Sequence, residues 1–254
     1  MANLKTKTMK LYKGDCLEVM KTIENNSIDA IITDPPYGTT ACKWDSVIDF
    51  DLMWEQLNRI IKTNGAIVLF GSEPFSSALR MSNIKSFKYD WIWDKEIGSG
   101  GLNAKMMPLK QHEIISVFAK NNNVIKYNPI KTEPTNKNFF NERGDGTFGK
   151  GGLYSNTKTS KKINKLKNPT SIIKVNKFSK ECNSANRQHP TQKPILLMGY
   201  LISTYTSENE TVLDFTMGSG TTMLACKNLN RNGIGIEKDP QYYAIAVERV
   251  EGKK

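Results

Sequence analysis

The segment that most restricts the fold is Ile28-Asp29-Ala30-Ile31-Ile32-Thr33. It is apolar at nearly every position rather than at every second one, and it is short. A strand of that kind is expected in a parallel sheet covered by helices on both faces. Asp34-Pro35-Pro36-Tyr37 follows at once. Proline fixes φ at about −65° and has no N–H, so the chain leaves the strand as a rigid lip that continues neither a helix nor a ladder. An acid, unclaimed carbonyls and the flat face of Tyr37 suit a planar group bearing an exocyclic amine, such as a nucleobase. Asp and Pro are also ordinary turn residues, so a plain strand-ending turn is the alternative.

Strand and helix patterns alternate along most of the chain, which predicts a doubly wound α/β sheet. Strands are expected at Leu11 to Lys13, Ile28 to Thr33, Ala66 to Phe70, Thr211 to Asp214 and Ile234 to Ile236. Helices are expected at Cys16 to Ile23, Asp51 to Lys62 (ended by Asn64-Gly65), Ser76 to Met81, Pro194 to Tyr205 and Thr221 to Leu229. Asp239-Pro240 opens a last one. Phe87 to Trp93 and Ile114 to Phe118 read as an antiparallel edge pair with a long excursion between them. From about Lys120 to Asn186 the periodicity fades and Asn, Lys, Gly, Ser and Thr dominate, with aromatics interspersed. This divides the chain into 1–119, an insertion 120–186, and 187–254.

A second site is expected where the strand ending in Asp214-Phe215 meets Met217-Gly218-Ser219-Gly220-Thr221-Thr222. A glycine turn before a helix lets a ligand approach the backbone and meet free N–H groups. Position 223 is Met, so the third glycine of a dinucleotide fingerprint is missing, and no Walker-type Gly-Lys-Ser/Thr follows. The next strand ends in Glu237, where Rossmann-like folds bind a ribose diol. A solvent-facing acid at a helix start is the alternative. A nucleoside cofactor without a bridging pyrophosphate fits this pattern.

Charge points to a partner. The chain of 254 residues has a net charge of +11, and Lys120 to Lys180 holds fourteen Lys and Arg against three acids. The excess of the whole chain therefore lies in the insertion, the footprint of a polyanion binder. A solvated loop with incidental lysines would look similar. No apolar run reaches the length of a membrane span and no signal peptide is visible, so a cytoplasmic protein with no membrane partner is expected. Cys16, Cys42, Cys182 and Cys226 are dispersed, and His112 and His189 are the two histidines. No metal site is expected. No Pro-Cys pair is present, which argues against cytosine-5 chemistry through a cysteine nucleophile.

The motifs TDPPYG (33–38), HPTQKP (189–194), DFTMGSGTT (214–222) and GIEKDPQYY (235–243) together resemble the amino-directed, S-adenosylmethionine-dependent DNA methyltransferases. Their order resembles the beta-type arrangement, a circularly permuted Rossmann-like methyltransferase sheet with an inserted basic DNA-recognition region. The resemblance covers nearly everything outside 120–186. Phe215 stands where the family often has Pro after the acid, a small departure.

The resemblance implies roles. Asp34 and the carbonyl of Pro35, within a lip completed by Pro36, would accept hydrogen bonds from the target amine, and Tyr37 would stack on a base flipped out of the duplex. Asp214, Phe215, Gly218, Ser219 and Gly220 would hold the methionine part of S-adenosylmethionine. Thr221 and Thr222 would cap the helix and reach its carboxylate, as would Lys193. Glu237 would bind the ribose, and Asp15, next to Cys16, the adenine amine; a helix N-cap is the other role open to Asp15. His189 reads as structural. Arg143, Lys158, Lys161, Lys162 and Arg187 are candidates for DNA contact. An Asp heading the catalytic motif is commoner in adenine-N6 enzymes and Ser in cytosine-N4 enzymes, so adenine is expected. Cytosine-N4 methylation and an inactive DNA-binding relative are the alternatives. Glutamine-directed relatives tend to have Asn where Asp34 stands. A homodimer and a cognate restriction enzyme are further partners the resemblance allows.

Overall fold

The computed structural model describes residues 8–39, 45–133, 166–177 and 192–252. Lys158, Lys161, Lys162, Arg143, Arg187 and His189 lie outside them. Two compact units are present, residues 1–128 with 171–254, and residues 129–170. In the second, Thr132 and Lys167 form an isolated antiparallel bridge. The first contains everything below.

Its eight-stranded sheet has the order β1-β8-β7-β2-β3-β5-β4-β6. These strands are β1 Met9–Lys13, β2 Ile28–Thr33, β3 Ile61–Gly71, β4 Phe87–Ser99, β5 Lys110–Ala119, β6 Ile172–Lys174, β7 Thr211–Asp214 and β8 Asn232–Glu237. The first five in spatial order are parallel, and β5 is antiparallel to both β3 and β4. The helices are α1 Cys16–Met20, α2 Phe50–Ile60, α3 Phe75–Ser82, α4 Ile195–Tyr205, α5 Thr221–Asn228 and α6 Pro240–Glu251.

The near-continuous apolar run in β2 does what its composition demands. Ile28 and Ile31 pack on one face with Met53 and Leu57 of α2, while Ala30 and Ile32 pack on the other with α4 and α5. Burying each such isoleucine contributes roughly 1.5–3 kcal/mol. Helices therefore cover both faces: α1, α2 and α3 on one, α4, α5 and α6 on the other. The helix after β7 and the helix after β2 lie on opposite faces, so the winding direction reverses between these two strands. Ligands in open α/β sheets bind at the carboxyl ends of strands at such a reversal.

Three boundaries differ from expectation. The helix α2 stops at Ile60, and β3 begins directly with Ile61, which pairs with Ile28 across a register shift. Asn64-Gly65 lies inside the strand and does not end the helix. A Cβ on Gly65 would sit 2.7 Å from the Ile61 side chain and 2.8 Å from the Asp29 carbonyl, so glycine permits the close approach there. The pair β4/β5 is longer than its apolar cores, and it is not the sheet edge. Within 120–186, Ile172–Lys174 forms β6 and pairs in parallel with β4. Three residues are too few to show a periodicity.

Candidate active site

The carboxyl ends of β1, β8, β7 and β2 open onto one cavity of about 760 Å³. Its walls include Asp15 and Cys16 after β1, Glu237 after β8, Phe215 to Ser219 after β7, and Asp34 to Tyr37 after β2. The two motifs that lie far apart in sequence thus face a common space.

Asp34 leaves β2 with its carboxylate held from two sides: the Tyr37 hydroxyl donates to Oδ1 and the Lys193 ammonium to Oδ2. The Tyr37 ring stacks on Phe75 at 5.0 Å between centroids, with 29° between planes. The turn beyond is pinned by Asp45, whose carboxylate accepts the N–H groups of Tyr37, Gly38 and Thr39 at 2.8, 2.9 and 2.9 Å. Burial raises the Asp34 carboxyl above its ordinary value, and the Lys193 ammonium holds it back. Burial and the negative Asp34 keep the Tyr37 hydroxyl protonated, raising it well above the usual phenol. It is therefore a hydrogen-bond donor at neutral pH.

Lys193 is enclosed by acids. Besides Asp34 it lies 3.4 Å from Glu113 Oε2, and Glu113 Oε1 lies 3.4 Å from the Lys95 ammonium. The ammonium also sits 5.1 Å from the centroid of the Phe70 ring, within cation–π range. Burial alone would lower Lys193; Asp34 and Glu113 outweigh it and hold the ammonium above its usual value. Asp34 and Glu113 thus hold it on the Asp34 side of the cavity. Lys95 and Glu113 were not expected from their motifs. The signal available was phase: Lys95 alternates with Trp91 and Trp93, and Glu113 with Ile115 and Val117, so all six share the inward face of β4 and β5.

Asp214 is built differently. It is 3% exposed, and its carboxylate accepts from Thr33 Oγ1 at 2.6 Å, from the Thr216 N–H at 3.1 Å, and from Thr222 Oγ1. Burial pushes its carboxyl up to about 6 against these donors. Thr216 also donates to the Asp34 carbonyl at 3.1 Å, tying the two strand ends together. Thr222 is thereby engaged with Asp214, and the N-cap of α5 is Gly220, with no side-chain cap bond. The expected capping by Thr221 and Thr222 is not what holds this helix end. Gly220 instead has φ 78°, and a Cβ there would meet Ala246 Cβ at 3.0 Å, so glycine is required at the junction of α5 and α6. Arg249 of α6 supports the turn from behind, donating to Ser219 O, to Ser219 Oγ at 2.9 Å and to Thr221 Oγ1 at 3.3 Å.

Glu237 ends β8 at the cavity wall. It accepts the Gly218 N–H at 2.9 Å on one oxygen and the Asp239 N–H at 2.7 Å on the other. Each oxygen keeps accepting capacity toward the cavity. Burial raises its carboxyl, and the two N–H groups oppose the rise. Asp15 caps α1 through the Leu17 N–H at 3.0 Å and pairs with Lys238 at 3.1 Å. Burial works against its ionisation, but Lys238 and Leu17 outweigh it and hold the carboxyl low. Burial and the neighbouring Asp15 push the Cys16 thiol up to about 12, so it is not a nucleophile at neutral pH. Among the described residues no cluster of His, Cys, Asp and Glu is arranged to hold a metal ion. No described helix is long and apolar enough to cross a membrane.

The DNA methylase family N6_N4_Mtase matches residues 28–248. The chain belongs to this family. It is similar to the Type II methyltransferase M.HpaI of Haemophilus parainfluenzae, 27% identical over 96% of this chain and 74% of that protein. It is similar also to M.HinfI of Haemophilus influenzae, 29% identical over 94% of this chain and 67% of that one. The crystal structure of the M1.HpyAVI-SAM complex is 28% identical, with a TM-score of 0.63 over 96% of this chain and 99% of that one. The PvuII cytosine-N4-specific DNA methyltransferase, 17% identical with a TM-score of 0.66, shares the fold. The cavity of this DNA methyltransferase thus joins the lip Asp34 to Tyr37 to the glycine turn and Glu237.

Proposed function

We propose that the protein transfers a methyl group from S-adenosylmethionine to N6 of an adenine turned out of duplex DNA. The observation that carries this reading is the pair of acids facing one cavity. Asp34, with Tyr37 beside it, accepts from an amine, and Glu237, with the glycine turn beside it, accepts from a diol.

The cavity suits the cofactor. Its lining has seven acidic side chains against four lysines, although the chain as a whole is strongly basic. An acidic chamber favours a sulfonium cation and disfavours a pyrophosphate. Bound S-adenosylmethionine supplies an activated methyl group on positively charged sulfur. Glu237 accepts the ribose hydroxyls, and the turn Met217 to Gly220, braced by Arg249, receives the methionine part. Phe215 gives that end an apolar wall, and Asp15 meets the adenine amine with Oδ2, the oxygen it shares with Lys238. Asp34 and the Pro35 carbonyl accept from the two hydrogens of the target amine. This draws the nitrogen away from conjugation with the ring and turns its lone pair outward. Once nitrogen has bonded to the methyl carbon its proton is acidic, and Asp34 is placed to take it. The effect of these residues is mostly positional, since in-line alignment replaces a strong base. An Asp at position 34 supports adenine over cytosine.

The phosphates we assign to the basic segment 120–186, with Arg143, Lys158, Lys161, Lys162 and Arg187 as contacts; its local charge excess supports this. The two flanking segments, 1–119 and 187–254, supply the catalytic and cofactor ends of one permuted methyltransferase sheet. The chain order supports that, because β2 with its lip precedes β7 with its glycine turn. A second copy of the chain and a cognate restriction endonuclease are the protein partners this reading brings with it. Expression in cells devoid of other methylases, followed by sequencing of modified positions, should find N6-methyladenine at one recurring sequence. N4-methylcytosine there, or unmodified DNA, would contradict it.

A further inference from the structure

Four charged side chains alternate in sign along one wall of the cavity: Asp34, Lys193, Glu113 and Lys95. Both oxygens of Asp34 are engaged by Tyr37 and Lys193. An incoming amine therefore competes with the Lys193 ammonium for the carboxylate. Glu113 is placed to resolve the competition. Its Oε2 is buried, and no hydrogen bond reaches it among the described residues. At 3.4 Å, Lys193 stands in ion-pair contact with that oxygen, short of hydrogen-bond geometry. A buried carboxylate oxygen with an ion pair but no well-formed hydrogen bond is incompletely satisfied, so it calls for an explanation.

We infer that Glu113 is a positioning residue: it takes the Lys193 ammonium when a base amine displaces it from Asp34. Lys193 stays protonated in both positions, and only its hydrogen-bond partner changes. Phe70 lies beneath the ammonium and offers no competing acceptor along this short path. Lys95 holds the other oxygen of Glu113 and keeps the acceptor ionised. Lys95 is 6% exposed, and the side chains of Lys193 and Glu113 are 9% and 18% exposed, so water is a poor substitute for any member of the set. Without Glu113, Asp34 is the one carboxylate among the described residues that pairs with the ammonium, which remains on it.

The inference rests on Asp34 as the amine acceptor, and its tests separate the two claims. In Glu113→Gln the shape is kept and the charge removed. Single-turnover methyl transfer to DNA should fall about tenfold to a hundredfold, the equivalent of one hydrogen bond to a charged group. Affinity for S-adenosylmethionine should change by less than about twofold, because the partners of Glu113 are Lys95 and Lys193 while those of Glu237 are Gly218 and Asp239, and sites that share no partner act nearly independently. Glu113→Asp should recover most of the rate. Transfer by Glu113→Gln at the wild-type rate would overturn the inference. So would an equal loss in Gln and Asp variants accompanied by lost cofactor affinity, which is the signature of a purely structural group. A second arm needs no variant. In a structure of the wild-type protein with duplex substrate and a non-transferring S-adenosylmethionine analogue, Lys193 Nζ should lie about 2.8 Å from Glu113 Oε2, with the base amine on Asp34. Lys193 still on Asp34 beside a bound base would overturn it. If the wild-type protein transfers no methyl to DNA at all, the proposed function fails instead.

Discussion

Two aspartates stand at the ends of neighbouring strands of the same sheet, and Asp34 lines the cavity while Asp214 is buried beside it; their surroundings are unlike. Asp214, after β7, is held by two threonine hydroxyls and one backbone N–H, all neutral, and all but Thr33 within eight residues of it. Asp34, after β2, is held by a phenol and by an ammonium 159 residues away in sequence. Neutral, mostly local donors make a fixed joint; they knit β7, β2 and α5 together. A charged partner that itself has a second acid within reach makes an exchangeable contact. Residue type and strand position do not separate the two aspartates, whereas the charge of their partners does.

Substitutions at the two positions should therefore differ in kind. The largest effect is expected at Asp34. Asp34→Ala should lower methyl transfer by about 10³-fold or more, the scale of losing an oriented group at the reacting centre. Cofactor affinity measured by calorimetry should remain near wild type, since Glu237 and the glycine turn are untouched. Near-normal turnover would end the distinction.

Asp214 should show itself in stability. Its carboxyl lies at about 6 in the folded protein against 3.8 as the ordinary value. The folded state thus holds this proton more tightly than the unfolded chain, and the stability this lends is present below the unfolded value and lost as pH rises through about 6. Asp214→Asn removes the titration. Wild type should therefore lose on the order of 3 kcal/mol relative to that variant between about pH 4 and pH 7. Denaturant unfolding at a series of pH values measures the difference; a pH-independent difference would show that folding does not shift this carboxyl.

A smaller, purely binding effect is expected at Glu237. Glu237→Gln keeps one acceptor and loses the charge, so affinity for S-adenosylmethionine should drop about tenfold to a hundredfold. The transfer rate at saturating cofactor should stay close to wild type. A loss confined to the rate would move Glu237 from the binding side of the comparison to the reacting side.

The same contrast explains what the sequence made legible. The strands β2, β7 and β8 and the turns after them are contiguous signals: an apolar run, then Pro-Pro, paired glycines or a terminal acid. Asp34, Tyr37, Gly218, Gly220 and Glu237 could be picked out because each sits within a few residues of its own strand. The supports are non-local. Arg249 braces a turn 30 residues earlier, Asp45 closes the lip from 8 residues beyond Tyr37, and Phe75 backs Tyr37 from α3. None of these carries a motif. Lys95 and Glu113 are intermediate: their phase in β4 and β5 was visible, but their meeting with Lys193 needed the antiparallel register and the placement of α4. The short strand β6 was hidden because three residues without periodicity gain their meaning only from the neighbour they pair with.

The central claim is that one cavity brings a methyl donor held by Glu237 to an adenine amine held by Asp34. It is tested most directly by incubating the purified protein with unmethylated DNA and S-adenosylmethionine labelled in its methyl group, digesting the DNA to nucleosides and identifying the labelled one by mass. The wild-type protein should place label in N6-methyldeoxyadenosine, and the Asp34→Ala variant should place none. Label in N4-methyldeoxycytidine, or equal labelling by the Asp34→Ala variant, would contradict it.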